Sequence, residues 1–249
     1  LSQAKLGLRI YKDQQSIQKV ETGKFNPTYI YLLEICTGLE ISIRELHTKV
    51  EEFKEKFKNH LSIINKTITD EQILKFYRYM ELLLEWNEKI NLTAITNPED
   101  IILKHFIDSL TIEEYINVGT GAGFPGIPIK IYRDDINVTL VDSLNKRINF
   151  LNIVIEELKL EKIKAIHSRA EEFGKNVKYR EKFDVSTSRA VANLATLSEY
   201  LIPLIKQQGK SICMKGSEIE EELNNSKNAI KDLGGKILKV DEFTLPNSD

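Results

Sequence analysis

The stretch Val118-Gly119-Thr120-Gly121-Ala122-Gly123-Phe124-Pro125-Gly126 follows a short β-branched run at 115–118 and leads into the apolar residues of a helix. Gly121, Gly123 and Gly126 satisfy the pattern G-x-G-x-x-G, by which a parallel strand turns sharply into a helix while its backbone stays open to a ligand. Asp142 closes the next predicted strand, where a carboxylate accepts hydrogen bonds from both hydroxyls of a ribose. These features suit any adenosine ligand, so a nicotinamide-dependent oxidoreductase is one reading. Pro125, however, removes an amide hydrogen from the part of the loop that would cradle a pyrophosphate, and Phe124 puts bulk beside it. A cofactor without phosphates fits the loop better.

Working outward, strands are predicted at 115–118, 137–141, 162–166, 183–187, 210–214 and 236–243, with helices after Gly126, Ser143, Ala170, Asn193 and Ser217. Strands separated by single helices imply right-handed crossovers and a mostly parallel, three-layer α/β sheet of Rossmann-like form. Ligands of such sheets bind at the carboxyl ends of the strands. The unusual clusters fall at those ends: the glycine loop, Asp142, Ser168-Arg169-Ala170-Glu171, Ser188-Arg189 and Lys215-Gly216. Lys146, Arg147, Arg169 and Lys215 are candidate sources of local positive potential there.

A helical prelude precedes the sheet. Thr69-Asp70-Glu71-Gln72 has the form of a capping box, and Ile73, Leu74, Phe76, Tyr77, Met80, Leu83, Leu84 and Trp86 form a broad apolar face. Trp86 is expected as a core anchor, and Asn87 and Asn91 as residues that fix local backbone. A further helix should start at Asn97-Pro98-Glu99-Asp100 and run to about Leu110. Two of its residues, His105 and Asp108, either line the cofactor pocket or cap contacts in the core.

The 249 residues are 41% hydrophobic and 29% charged, enough for a full-sized core and more than one domain. A formal net charge of -2 gives no global attraction to a phosphate backbone, so nucleic-acid binding has to be local. No apolar run approaches the ~20 residues that span a bilayer, so no membrane partner and a cytoplasmic location are expected. Cys36 and Cys213 lack paired spacing, and His47, His60, His105 and His167 lack metal-ligand spacing, so no metal is expected.

Four stretches carry a specific resemblance: Glu85-Trp86-Asn87-Glu88-Lys89-Ile90-Asn91-Leu92-Thr93-Ala94-Ile95, Lys104-His105-Phe106-Ile107-Asp108-Ser109-Leu110, the glycine loop from Val118 to Pro128, and Thr187-Ser188-Arg189-Ala190-Val191-Ala192. Together they resemble the bacterial ribosomal RNA small-subunit methyltransferase G family, also called glucose-inhibited division protein B, over roughly 67–249. The resemblance implies a class I methyltransferase fold and methyl transfer from S-adenosyl-L-methionine to N7 of a guanine in 16S rRNA, with the 30S subunit as partner. It implies that Gly119, Gly121, Gly123 and Phe124 contact the cofactor, that Ala170 and Glu171 flank its adenine, and that Arg189 is the catalytic residue at the junction of cofactor and substrate. Asp142 would hold the ribose. The family usually has an acidic residue where this chain has Asn117, and normally adds a final strand after the point reached by Leu245-Pro246-Asn247-Ser248-Asp249.

Residues 1–47 read as a separate helical segment, and 48–66 as a charged connecting helix with a thin stripe of Val50, Phe53 and Phe57. The first segment resembles a helix-turn-helix of phage-repressor type without its leading helix, with Gln14, Gln15 and Gln18 placed to read adenine edges. That resemblance implies a DNA contact through the N-terminal segment. The rival to a methyltransferase is therefore a DNA-binding regulator whose second domain, 67–249, is inactive or only senses the cofactor.

Overall fold

A computed structural model of the chain describes residues 2–21, 29–40, 42–113, 123–189, 192–216 and 219–245. It divides into two compact units, Leu1–Phe57 and Lys58–Asp249. The first contains α1 (Gln3–Arg9), α2 (Gln14–Glu21), α3 (Tyr29–Leu39) and the start of α4 (Ile43–Ile63). Ser2 caps α1 by accepting from the Lys5 amide, and Ser42 and Glu45 cap α4 reciprocally. Leu6, Ile10 and Ile17 form a small core joined by Val20, Ile35 and Leu39. Gln14, Gln15 and Gln18 are exposed.

In the second unit, α5 (Asp70–Ile90) begins with the expected capping box, Thr69 and Gln72 satisfying each other's backbone. The same Gln72 donates from Nε2 to the carbonyls of Ile131 and Tyr132, the last residues of α8 (Gly126–Tyr132), at 3.1 and 2.9 Å. One side chain thus ties the start of α5 to the open end of α8. Asn91 ends α5 in a left-handed conformation, and the Asn87 carboxamide accepts from the Thr93 amide at 2.8 Å, so both asparagines shape backbone as expected. Trp86 is only half-buried, against the ring of Phe150.

The helix expected from Asn97 is present but irregular. It comprises α6 (Pro98–Ile101), a π-helical turn (Ile102–Ile107) and α7 (Asp108–Thr111). Asn97 caps it through the Glu99 and Asp100 amides, with Pro98 where an amide hydrogen is not needed. A π-helical turn is wider than an α-helical one and often marks a functional site.

Among the described residues four parallel strands follow: β1 (Val138–Asp142) pairs with β2 (Ile163–His167), and β3 (Phe183–Arg189) pairs with β4 (Ile205–Met214). Between them lie α9 (Asn145–Glu157), α10 (Ala170–Lys175) and α11 (Leu194–Leu201), and α12 (Glu220–Asp232) follows β4. All five residues of β1 are buried, as a strand covered on both faces requires. This is the expected α/β order, with the described strands in two parallel two-stranded sheets, and its first predicted strand, 115–118, lies outside the described residues.

Two expectations are corrected. β4 begins five residues before the predicted 210, because the register with β3 continues past an irregularity near Phe183 and Val185 to reach Ile205. The strand predicted at 236–243 is not formed: residues 235–245 have no regular structure, and Leu238, Val240 and Phe243 are exposed. Alternating apolar and charged residues supply strand propensity, but a strand exists only where a neighbouring ladder takes its hydrogen bonds.

Candidate active site

The carboxyl ends of three strands carry the predicted residues. Asp142 is the last residue of β1, Ala170 and Glu171 open α10 three residues after β2 ends, and Arg189 is the last residue of β3. Asp142 pairs in register with His167, whose Nε2 donates to the Ser143 carbonyl at 2.9 Å, so the ends of β1 and β2 are bound together. The Asp142 carboxylate accepts from the Leu144 amide at 2.7 Å and lies 3.3 Å from Arg147. Each of its oxygens keeps lone-pair capacity for a ribose hydroxyl. Glu171 is exposed; its own backbone amide and the Tyr200 hydroxyl hold its carboxyl below the usual range.

The described part of the glycine loop begins at Gly123, while Gly119 and Gly121 lie outside the described residues. Gly123 has φ +96°, and a Cβ there would stand 2.5 Å from the Tyr79 hydroxyl and 3.0 Å from Ile127. Glycine is therefore required twice over, by conformation and by space. The start of α8 is poor in free donors: Pro125 and Pro128 have no amide hydrogen, and the amides of Ile127 and Ile129 are taken by the carbonyls of Gly123 and Pro125. A pyrophosphate needs several such donors, whereas a ligand without phosphates needs none of them.

Arg189 is gripped by the π-helical region. Its Nη1 donates to the Lys104 carbonyl at 2.8 Å and to the Asp108 carboxylate at 3.0 Å, and Nη2 lies 2.9 Å from Nδ1 of His105. The guanidinium carbon stands 5.0 Å from the Phe124 ring centre, and the His105 ring stacks on Phe124 with centres 4.4 Å apart. A guanidinium is always protonated and only donates, so Nδ1 of His105 must be the acceptor. The imidazole hydrogen then sits on Nε2 and is donated to Thr93 Oγ1 at 2.8 Å. The 3.2 Å approach of Nδ1 to the Lys104 carbonyl joins two acceptors and is proximity, not a bond. Burial first, and the charge of Arg189 second, push the His105 pKa down to about 4, so the ring is neutral at physiological pH. Burial raises the Asp108 carboxyl against the pull of Arg189.

Sequence reasoning left His105 and Asp108 between two roles; the structure places both against Arg189. It also adds Tyr79, whose buried hydroxyl has no hydrogen-bond partner among the described residues and whose ring packs against Phe106 and Phe124. A tyrosine in the apolar stripe of α5 carries no sequence signal that sets it apart from core. Among the basic candidates, Lys215 is committed elsewhere, to Glu222 at 2.6 Å and the Ala192 carbonyl at 2.7 Å. Arg147 is paired with Asp142, while Lys146 and Arg169 are exposed.

A family model described as rRNA small subunit methyltransferase G matches residues 72–248. Proteins named Ribosomal RNA small subunit methyltransferase G are similar to the chain: that of Clostridium perfringens is 52% identical over 195 residues, covering 75% of this chain and 82% of its own. That of Desulforamulus reducens is 53% identical over 188 residues, covering 72% and 78%. That of Lactococcus lactis subsp. lactis is 47% identical over 205 residues, covering 78% and 86%. The DNA-binding regulator and the nicotinamide enzyme find no support in these relatives. Among the described residues no helix is long and apolar enough to cross a membrane. With its four signature stretches, its α/β order and matches of this extent, the chain belongs to the rRNA small subunit methyltransferase G family of S-adenosylmethionine-dependent enzymes.

Proposed function

We propose that this chain transfers the methyl group of S-adenosylmethionine to N7 of a guanine in small-subunit rRNA, with the 30S subunit or its precursor as substrate. The observation that carries the reading is the placement of Asp142 and Arg189 at the carboxyl ends of β1 and β3, and of Ala170 and Glu171 at the start of the helix after β2, together with a glycine turn in which Pro125 and Pro128 have no amide hydrogen to offer a pyrophosphate.

When bound, the cofactor supplies an electrophilic methyl group on a sulfonium. Asp142 would accept from its ribose hydroxyls, and Ala170 and Glu171 would flank its adenine. Gly119, Gly121, Gly123 and Phe124 would contact it, as the family resemblance implies. Guanine N7 carries an available lone pair, so no side chain has to remove a proton before attack; the protein's contribution is alignment and a prepared electrostatic field. Arg189 has five N–H groups. Three are used on the Lys104 carbonyl, Asp108 and His105, and among the described residues the other two have no partner. They are the donors by which Arg189 would hold a cofactor carboxylate or an RNA phosphate. N7 lies on the major-groove edge, which is too deep and narrow to reach in an A-form helix, so the target guanine is unstacked or in a loop.

Incubation of the protein with labelled S-adenosylmethionine and undermodified 30S subunits should yield N7-methylguanine. No incorporation beside an active control contradicts the proposal. Arg189→Ala should reduce transfer far more than it reduces stability.

A further inference from the structure

The Arg189 grip extends further back than its first contacts. Thr93 Oγ1, which receives the imidazole hydrogen, also accepts from the Ile95 amide at 3.0 Å, and the Thr93 amide is held by Asn87. A single chain of hydrogen bonds therefore runs from the end of α5, through Thr93 and His105, to Arg189 at the end of β3. It joins three of the four signature stretches.

We propose that His105 is a positioning residue: its unprotonated Nδ1, fixed by the Nε2 bond to Thr93, sets the rotation of the Arg189 guanidinium and so aims the two donors that Arg189 keeps for ligand. This rests on the reading that Arg189 meets cofactor or substrate. The Asp108 carboxylate and the Lys104 carbonyl alone hold one nitrogen, Nη1, and a guanidinium held at one nitrogen can still tilt out of plane. The contact at Nη2 supplies the second point, and the Phe124 ring stacked on His105 and beneath Arg189 limits motion on that side. The charged and titratable groups around the ring are Arg189, Asp108 on α7 and, electrostatically coupled to Arg189 from α5, the Tyr79 hydroxyl.

The two halves of the imidazole are separable. Asparagine carries its oxygen at the distance from the backbone of Nδ1, while glutamine carries its terminal atoms at the distance of Nε2. His105→Asn should keep the acceptor for Arg189 and lose the Thr93 bond; His105→Gln should do the reverse. We expect His105→Asn to stay within about fivefold of wild type in kcat/KM, and His105→Gln to lose roughly tenfold to hundredfold, mostly in kcat, because misalignment of a placed group acts on the transition state. In an Arg189→Ala background His105→Gln should cost nothing further. In the free wild-type protein, imidazole nitrogen shifts measured by NMR should show one neutral tautomer with hydrogen on Nε2. Hydrogen on Nδ1, equal losses in the two variants, a larger loss in His105→Asn, or a glutamine loss that persists without Arg189 would each overturn the inference. If wild type itself transfers no methyl group, the functional reading fails and this inference falls with it; an active wild type with indifferent variants overturns the inference alone.

Discussion

Lowering the pH toward 4 should weaken the fold through His105, and the amount follows from its surroundings. The unfolded chain takes up a proton on this residue below about pH 6.5, whereas in the folded protein burial and Arg189 delay it to about pH 4. Between those values the unfolded state binds more protons, so stability falls as pH falls; above pH 6.5 the contribution is complete, and below pH 4 no more is lost. A difference of about 2.5 pH units at ~1.36 kcal/mol each makes the full effect about 3 kcal/mol. The assay is urea unfolding of wild type and His105→Gln at intervals from pH 7.5 to pH 4, followed by the fluorescence of Trp86, the one tryptophan, which packs on Phe150. Asp108 titrates in both proteins, so subtraction largely removes it. The stability advantage of wild type should shrink by about 3 kcal/mol across the window. A difference that stays flat would mean that the ring is not held neutral against Arg189, and the network drawn around it would be wrong.

Gly123→Ala should destabilise by about 2–5 kcal/mol, since it adds left-handed strain to a clash with the Tyr79 hydroxyl; adding Tyr79→Phe, which removes the clashing atom, should recover part of the loss in the same denaturation assay. Tyr79→Phe alone should leave stability unchanged or raise it by up to about 1 kcal/mol, because its hydroxyl is buried without a partner among the described residues; a clear loss in thermal unfolding would contradict this. Glu113→Gln should cost about 2–4 kcal/mol, because Glu113 is buried between Lys66 and Arg133, each at 2.8 Å. Burial alone would raise the Glu113 carboxyl, but the two cations outweigh it and hold it below the usual range, so its contribution is present at neutral pH and is lost as pH falls through the folded value. The variant should therefore show a shallower acid limb in urea titrations.

Local chemistry made much of the architecture readable before any coordinates. Thr69 and Gln72, Asn97 and Pro98, and the alternation of buried runs with helices behave as their residue types require. Asp142 and Arg189 stand out as candidates because each ends a parallel strand, where polar residues gather around ligand. The misreadings arise where distant partners decide. Nothing local to 236–243 tells whether a neighbouring strand will accept its hydrogen bonds, and nothing local to 205–209 tells that β3 continues to pair with it. The π-helical turn at Ile102–Ile107 is likewise invisible as a periodicity, because it differs from an α-helix by about one residue per turn and lasts only six residues. The Lys104 carbonyl could not be found by residue type, since every residue has one. His105 and Asp108 could be: three apart on one helix, they were bound to share a face.

The measurement that bears most directly on the account is a calorimetric titration of the protein with S-adenosylhomocysteine, with NAD as the parallel ligand. One saturable site per chain for the first and no heat for the second is the predicted result, and Asp142→Ala and Arg189→Ala should each weaken it. Tight binding of NAD, or no binding of S-adenosylhomocysteine by a folded protein, would contradict the assignment of a phosphate-free adenosine cofactor to the glycine turn.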